Sequence, residues 1–283
     1  MEKWLADVHM HADYDEHRDR WHGDRPENLA RRIVHGTPLS LVALSEHNKV
    51  SDQYFNLREE AEREMEVHRT REGTRRELWV MLGMEIAMMF GNRRYHVGYV
   101  FEEMFRRGKL PDTPPYRSDA RELEHYRIDY PGVAILNHPT WKDETQHDLD
   151  VTRDFMESGL VDGAEIANGS IVFNGGANMN VMRSSSKLFV DIRRRQELAR
   201  KRQKHPDTPK SFLAPIGGSD AHNANHVASI ATEYMGNDPL AYFEQVRRGN
   251  TQVVPLQKEV VRERAREVMR SVQHLRKYMR FPE

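Results

Sequence analysis

Trp4-Leu5-Ala6-Asp7-Val8-His9-Met10-His11 is the stretch from which the fold of this chain can be worked out. Residues 3–9 are predicted to form a strand, and two histidines one residue apart lie at its carboxyl end. An imidazole pair in that position can bind a metal ion. Taken alone, the pair is equally compatible with an exposed strand end, so the rest of the chain has to supply the other ligands.

Composition limits the classes of protein to which the chain can belong. It has 283 residues, 38% of them hydrophobic and 31% charged, and a formal net charge of −1. That is a folded chain long enough to bury a core, and its charge does not favour a general electrostatic interaction with nucleic acid. Long apolar runs and a signal-peptide pattern are absent, so we expect no membrane partner. The lack of cysteine favours a cytoplasmic location and excludes thiolate ligands.

Short apolar strands alternate with helices along the sequence. Strands are predicted near residues 39–44, 78–85, 94–101, 132–136, 161–166, 212–216 and 230–235, and helices near 26–35, 51–70, 118–127, 151–158, 190–204 and 239–248. This alternation predicts an α/β fold with a mainly parallel sheet. The simplest organisation is one domain over residues 1–255 with a C-terminal helical extension over 256–283. That extension would either form a homo-oligomer contact or cover one end of the domain.

Side chains that can bind metals follow several of these strands. In parallel α/β folds the carboxyl ends of the strands meet on one face, where active sites lie. Imidazole and carboxylate groups suit Zn²⁺, Mn²⁺ or Fe²⁺. The residues concerned are His9, His11, His47, Glu85, His138, Asp220 and His222, with His96 inside a predicted strand. They exceed the need of one ion, which indicates two or three divalent metal ions with a carboxylate bridging between them.

The ordered series resembles the motifs of the polymerase and histidinol phosphatase (PHP) superfamily. The matching segments are Asp7-Val8-His9-Met10-His11, Ser45-Glu46-His47-Asn48, Gly83-Met84-Glu85, Tyr95-His96, Asn137-His138-Pro139 and Gly218-Ser219-Asp220-Ala221-His222. They come in family order over about residues 4–235. The resemblance implies a distorted seven-stranded (β/α)7 barrel, a trinuclear metal centre at the carboxyl-end face, and hydrolysis of phosphate esters.

The resemblance also implies a role for each ligand. The ligands of one metal would be His9, His11, Glu85 and Asp220. The ligands of a second would be Glu85, as the bridge, with His96 and His138. The ligands of a third would be His47, His222 and a group after His11, with His17 preferred and Asp15 as the alternative. Glu46 stands where the family usually has Asp, which leaves its role open.

The expected activity is hydrolysis of a small phosphomonoester, such as a nucleotide or a phosphorylated metabolite. A hydroxide bridging two metals would attack phosphorus, and Asp220 or His222 would protonate the leaving alkoxide. Candidate cationic contacts to this phosphorylated substrate are Arg93, Arg94, Lys142 and Arg183. Because the chain has 43 basic residues, some will lie near any site by chance.

Two other functions remain open at this point. A nuclease acting on nucleic-acid ends would use the same metals, and the basic run at residues 193–204 is its main support. The preferred interpretation of that run is a solvated helix face balanced by the acidic helix near residues 58–66, so nucleic acid is not favoured as a partner. A non-catalytic metal-binding module is the third alternative, and the completeness of the ligand set argues against it. The segment 169–211 is expected to shape the substrate pocket.

Overall fold

The structure, a computed structural model, describes residues 1–12, 14–15, 20–21, 24–73, 77–113, 119–140, 145–174, 178–202, 212–222 and 224–256. The strands are β1 (Glu2–Met10), β2 (Tyr14–Asp15), β3 (Arg20–Trp21), β4 (Leu41–His47), β5 (Trp79–Phe90), β6 (Arg93–Phe101), β7 (Gly132–Asn137), β8 (Gly163–Asn168), β9 (Ala214–Gly218), β10 (Ile230–Gly236) and β11 (Gln252–Pro255). The helices are α1 (Pro26–Gly36), α2 (Gln53–Glu72), α3 (Ala120–Asp129), α4 (Gln146–Glu157), α5 (Gly169–Asn174), α6 (Asn178–Arg202) and α7 (Ala241–Arg248). The predicted C-terminal helix lies outside these ranges.

Nine strands form one sheet in the order β11-β10-β1-β4-β5-β6-β7-β8-β9, and β2 pairs with β3 separately. The sheet curls so that its β9 edge meets β1, where Met10 forms a parallel bridge with Ala221, just after β9. The His11 backbone N–H donates to the Ala221 carbonyl at 2.9 Å across the same junction. The α/β class and the barrel-like closure are therefore confirmed, whereas the expected number of seven strands is wrong.

The expectation of a mainly parallel sheet is also wrong. Only β1–β4, β4–β5, β7–β8 and β8–β9 pair in parallel, and the other four pairings of the main sheet are antiparallel. In the middle of the sheet, β5 and β6 are antiparallel because a two-residue turn joins Phe90 to Arg93. Gly91 in this turn has a φ of 59°. A turn this short joins antiparallel strands, because a parallel pair needs a long crossover.

The inside of the barrel changes from apolar to polar along its axis. Its apolar end is filled by the inward side chains of six strands and is closed by α7; the cluster includes Ala6, Val8, Leu41, Ala43, Met81, Val100, Val133, Ile135, Ala214, Ile216, Tyr242, Phe243 and Val246. Alternate residues of a strand share a face, so the next inward residues are Ser45, Gly83, Gly98, Asn137 and Gly218. Two residues beyond these on their strands, toward the polar end of the barrel, the inward residues are His47, Glu85 and His96. An apolar plug therefore lies beneath the predicted ligands.

The described residues of the segment 169–211 up to Arg202 are helical. Helix α6 begins at Asn178, twelve residues before the predicted start, and α5 and β11 were not predicted. The buried side of α6 is not apparent from the sequence because it includes serines: Ser185 and Ser186 are both buried. The Ser186 hydroxyl donates to the Ile166 carbonyl at 2.9 Å, so its burial leaves that hydroxyl satisfied. Across the described ranges, we find that no helix combines the length and apolar character needed to span a membrane.

The β5–β6 hairpin rests on α4 through aromatic side chains. The Phe155 ring is fully buried, with its centroid 4.6 Å from Phe90 and 5.0 Å from Tyr95. The Tyr95 hydroxyl also lies 3.0 Å from the Thr152 hydroxyl. These contacts hold the part of the hairpin that extends beyond the ligand level.

We predict that Phe155→Ala lowers the free energy of unfolding by about 3–5 kcal/mol, because it leaves a cavity beneath the hairpin. Urea denaturation measures the change. The matched control is Ile128→Ala in α3, whose side chain is 76% exposed; it should change stability by no more than about 0.5 kcal/mol. Equal effects of the two substitutions would contradict this account of the packing.

Candidate metal centre

The carboxylate of Glu85 lies at the centre of the predicted ligand set and is 2% exposed. Its Oε1 atom is 3.3–3.4 Å from ring nitrogens of His9, His96 and His138. Its Oε2 atom is 3.1 Å from His47 Nε2 and 3.8 Å from His11 Nε2. One carboxylate therefore faces two different sets of imidazoles, one on each oxygen. A bridging ligand between two metal ions needs this arrangement.

Asp220 provides the second carboxylate of the site. Its Oδ1 atom is 3.4 Å from His11 Nε2, 3.6 Å from His9 Nε2 and 3.4 Å from His222 Nε2. The His11 ring lies nearly parallel to those of His47 and His222, with centroid distances of 4.1 Å and 4.5 Å, and the His47 and His222 centroids are 5.7 Å apart. His9 and His11 of β1 thus lie near the carboxylates of both Glu85 and Asp220.

Three sets of ligand atoms are each close enough together to hold an ion, all atoms of a set lying within 4.8 Å of one another. They are His9, Glu85 and His138; His9, His11 and Asp220; and His11, His47 and His222. The third set joins His11 to the pair that the family resemblance assigns to a third metal. His96 lies beside the first set, with its ring centroid 5.0 Å from that of His138.

The protonation of His11 fits a metal centre. Burial lowers the pKa of His11 to about 4, so its ring is neutral near pH 7. Both its nitrogens, and Nδ1 of His96, are buried without a hydrogen-bond partner in the described part of the chain. A buried polar atom without a partner is costly, and a cation would remove that cost. The donor set also matches ions that favour nitrogen and carboxylate ligands.

The two carboxylates are held in their ionised form. Burial alone would raise the pKa of Glu85, but His9, His138 and His47 lower it well below its usual value. The pKa of Asp220 is also well below its usual value, because His9, His11 and His222 outweigh burial. Conversely, burial lowers the pKa of His9, but the charges of Glu165, Asp220 and Glu85 raise it well above normal. The site is therefore electrostatically poised to exchange protons for cations.

Backbone strain is concentrated around these ligands. Among the described residues, the non-glycine residues with positive φ are Asn48 (50°), His138 (29°), Asp220 (48°) and Ala228 (58°). Such conformations cost about 1–3 kcal/mol each and persist where surrounding contacts enforce them. Asn48 shows the enforcement: its N–H donates to the Glu85 carbonyl at 2.7 Å, and its Oδ1 accepts from the Ala87 N–H at 2.7 Å.

Asp7, the first residue of the opening motif, anchors the site from below. It is fully buried, and burial raises its pKa to about 6. Its Oδ1 accepts from the Ser219 N–H at 3.0 Å, and its Oδ2 accepts from the Ala228 N–H at 2.9 Å. Asp7 therefore ties β1 to the chain on both sides of Asp220.

Glu46 takes a supporting position at the barrel wall. It is fully buried, and its Oε1 accepts from the Ala12 N–H at 2.9 Å. The carboxylate therefore holds the chain just after His11. Asp15 is in β2, with its side chain outside the described residues, and His17 lies outside them altogether, so the choice between the two stays a prediction.

Sequence reasoning missed three polar residues that support the ligands: Glu165, Asn168 and Asn137. The Asn137 amide donates to Glu85 Oε1 at 3.0 Å and lies 3.3 Å from His9 Nε2. Glu165 Oε1 is 3.0 Å from His9 Nδ1. A usable signal exists for Glu165, because a carboxylate inside the apolar strand Gly163–Asn168 must have buried partners.

Three of the four candidate substrate contacts lie in the described part of the chain. Arg93 pairs with Asp148 of α4 at 3.0 Å, and Arg183 donates to Asn180 within α6 at 3.0 Å. Arg94 is exposed and shares the inward face of β6 with His96, two residues further from the ligands. Lys142 lies outside the described residues. Arg94 is therefore the candidate placed most directly toward the open end of the barrel.

Within the basic run of α6, Arg193 differs from the solvated face that was expected, whereas Arg194 and Arg195 are exposed as expected. Arg193 is 8% exposed, lies 4.5 Å from the Phe212 ring centroid and donates to the Leu213 carbonyl. Arg195 lies 3.6 Å from Glu157 of α4. At least part of the run therefore packs α6 onto the barrel. The expected balance with α2 is not seen in the described contacts, where the acidic groups of α2 pair with α1, with the loop at Arg107 or within their own helix.

Comparison with solved structures identifies the fold. One match is a two-domain protein from Bacteroides vulgatus containing a predicted PHP-like metal-dependent phosphoesterase, at 16% identity and a TM-score of 0.53 over 94% of this chain and 70% of the other. PsfC from Pseudomonas syringae matches at 18% identity and a TM-score of 0.52, covering 97% of this chain and 100% of the other. An amidohydrolase from Chromobacterium violaceum with bound sulfate and no metal matches at 13% identity and a TM-score of 0.50, over 86% and 96%.

No family model matches the chain, and no curated protein does. The match to the PHP-like protein of Bacteroides vulgatus agrees with the fold that the ordered motifs imply. At these identities the likeness concerns the fold, and the chain has the fold of the PHP-like proteins.

Proposed function

We propose that this chain is a metal-dependent phosphoesterase that hydrolyses a small phosphomonoester. The observation that carries the proposal is the Glu85 carboxylate, which has imidazole nitrogens of two sets against its two oxygens. The likeness to the Bacteroides vulgatus protein, with its predicted metal-dependent phosphoesterase, supports the reaction class, and the sulfate of the Chromobacterium violaceum protein is a tetrahedral oxyanion like phosphate. The proposed cofactors are two or three divalent ions, Zn²⁺, Mn²⁺ or Fe²⁺.

The ions would be held by the three ligand sets described above, and Glu85, a member of the first set, would bridge to the third through Oε2, which faces His47 and His11. When bound, divalent ions neutralise charge on phosphate oxygens and lower the pKa of water from about 15.7 toward 7. The protein contributes the fixed positions: ionised Glu85 and Asp220, and the neutral ring of His11. Because the strands and the strained turns hold these groups in place, little reorganisation is needed when the substrate binds.

Proton delivery to the leaving alkoxide falls to His222 in this scheme when two ions are bound and the set that includes His222 holds none. Its side chain is 40% exposed, whereas that of Asp220 is 17% exposed and has three imidazoles against one oxygen. Asp220 thus serves as a ligand, and His222 keeps access to solvent and substrate. His222 is also held by Asp220 at 3.4 Å, which orients its ring.

Arg94 is the proposed contact for the substrate's negative charge. It pairs across the hairpin with Met89, just as His96 pairs with Ala87, so it lies two residue pairs further from the ligands. Two residues along a strand span about 6.5 Å, within reach of a flexible arginine side chain. Its guanidinium can form two parallel hydrogen bonds to a phosphate group.

The nuclease alternative has less support than the sequence offered it. Arg193 and Arg195, in the basic run, are engaged with the protein itself. Of these two, only Arg193 is buried and so withdrawn from a nucleic-acid contact, and the side chains of residues 200–204 lie outside the described residues. A purely metal-binding module remains the alternative from outside enzymology, and turnover assays decide between them.

We expect His9→Ala and Asp220→Ala to lose bound metal and to lower phosphatase activity by at least about 100-fold, since each removes a ligand. Metal analysis of protein purified without chelators and hydrolysis of an aryl phosphate measure both effects. The control is His125→Ala on α3, an exposed histidine, which should behave as wild type. Full metal content together with full activity in both ligand variants would refute the scheme.

Substrate class is tested by comparing an aryl phosphate, nucleoside monophosphates and single-stranded oligonucleotides at equal enzyme concentration. The expected result is turnover of the monoesters in the presence of Mn²⁺ or Zn²⁺, its loss on chelation, and no release of mononucleotides from the oligonucleotides. Preferential digestion of oligonucleotides would establish the nuclease alternative. Tight metal binding without hydrolysis of any of these substrates would favour the binding module.

For Arg94→Ala we predict a rise of about 10-fold or more in KM for the monoester with a smaller change in kcat, because a contact to the bound phosphate is lost. Steady-state kinetics at fixed metal concentration provide both constants. Arg106→Ala is the matched control, since Arg106 is exposed in the loop after β6, at the opposite end of that strand. An unchanged KM in Arg94→Ala would remove this residue from the substrate site.

A further inference from the structure

We propose that Glu165 is a positioning residue that fixes the His9 ring so that Nε2 is the atom offered to a metal ion. The inference rests on the proposed metal site. Glu165 belongs to β8 and its side chain is 1% exposed. No ligand set of the site includes it. It acts on the site through His9 and His138, both of which are ligands in the scheme above.

The contacts of Glu165 are specific to each of its oxygens. Oε1 is 3.0 Å from His9 Nδ1. Oε2 accepts from the backbone N–H of His138 at 2.9 Å and from the side-chain amide of Asn168 at 2.9 Å. With His9 Nδ1–H counted as the third, every neighbour is a donor. An ionised carboxylate accepts at both oxygens and satisfies all three.

The tautomer of His9 follows from this contact. A proton on Nδ1, donated to Glu165, leaves the lone pair on Nε2, which is the nitrogen facing Glu85 and Asp220 at 3.4 Å and 3.6 Å. Histidine ligands of metals commonly donate their second ring nitrogen to a carboxylate, which orients the ring and raises its basicity. Glu165 stands in that relation to His9.

A glutamine at this position would not reproduce the contact. Its amide has one oxygen and one NH₂ group, and the site presents donors to both positions. With the NH₂ group toward His9, the ring would have to accept at Nδ1 and carry its proton on Nε2, which removes the metal-binding lone pair. With the NH₂ group toward His138, that group would face two other donors, the His138 N–H and the Asn168 amide. Either orientation leaves a buried mismatch.

Glu165 also connects four strand ends. Through its own strand it joins β8 to His9 of β1 and to His138 after β7, and Asn168 extends the connection to Asp220 Oδ2 at 3.3 Å after β9. The His138 N–H bond helps to hold that residue at its φ of 29°. A single carboxylate therefore positions two predicted ligands directly and a third through an amide.

Gly218 makes room for this arrangement. A Cβ at that position would lie 2.5 Å from Glu165 Oε1 and 2.8 Å from the Cβ of His9. Glycine at the end of β9 thus permits the carboxylate to reach the ring. A methyl group there would push the two apart without changing any charge.

The test compares Zn²⁺ binding by wild type, Glu165→Gln and the matched control Glu157→Gln. Glu157 is outside the metal site, and its carboxylate lies 3.6 Å from the Arg195 guanidinium. Competition titrations with a chromogenic chelator measure affinity without reference to catalysis. We expect Glu165→Gln to bind Zn²⁺ about 10–100-fold more weakly and the control to match wild type. An affinity in Glu165→Gln equal to that of the control would overturn the proposal.

Proton-detected NMR of ¹⁵N-histidine-labelled, Zn²⁺-loaded wild type provides a readout that a purely structural role would not fix. We expect the His9 ring to carry its proton on Nδ1, with slow exchange because it is buried and hydrogen-bonded. A proton on Nε2 instead would overturn the proposal even if Glu165→Gln failed to fold. Gly218→Ala is the second variant, expected to weaken Zn²⁺ binding in the same direction.

Failure of this inference is distinguishable from failure of the proposed function. If wild type itself binds no Zn²⁺, Mn²⁺ or Fe²⁺, the metal site is wrong and the role of Glu165 falls with it. If wild type binds metal and hydrolyses the monoester while Glu165→Gln matches it in affinity, only the positioning role is wrong.

Discussion

Five imidazole rings surround one buried carboxylate, that of Glu85, at distances of 3.1–3.8 Å. Such a carboxylate needs positive charge or hydrogen-bond donors close by, because burial otherwise penalises its ionised form. The rings do not all provide it, since burial holds the pKa of His11 at about 4 and both its nitrogens lack hydrogen-bond partners among the described residues. Cations placed between the carboxylates and the rings would satisfy both groups at once. The other features of the site follow from keeping Glu85 in this position.

The barrel provides that position by layers. An apolar plug fills one end, a layer of small residues follows, and the ligands lie above it. Small residues in the middle layer matter because that layer is crowded: a Cβ on Gly98 would lie 3.0 Å from the amide oxygen of Asn137 in the same layer. Asp7, Asn48 and Glu46 then hold the backbone next to the ligands. Rigid strands with strained ends give the site fixed geometry before any ligand binds.

The sequence predicted which side chains lie together better than the architecture around them. Residues such as His47 and Asp220 could be found because ligands at strand ends follow from apolar runs that stop at a polar motif. His96 could not be understood that way, because β6 runs antiparallel and its ligand lies near the beginning of the strand. Glu165 was missed because its partners, His9 and the backbone of His138, are distant in sequence. Arg193 looked solvated because a basic run does not reveal that Phe212 covers one of its members.

The junction between β1 and the end of β9 has a consequence for how the molecule is made. Asp7 and Ser219 are 212 positions apart in the chain, and the bond between them lies directly beside the Met10–Ala221 bridge that closes the sheet. Contacts of such long range form late, because the chain must first lose the entropy of a very large loop. A nascent chain that has not reached residue 214 already holds His9, His11, His47, Glu85, His96 and His138, yet it lacks the strand that closes the ring around them. During synthesis, the full set of ligand contacts can therefore form only after β9 has been made and has closed the barrel.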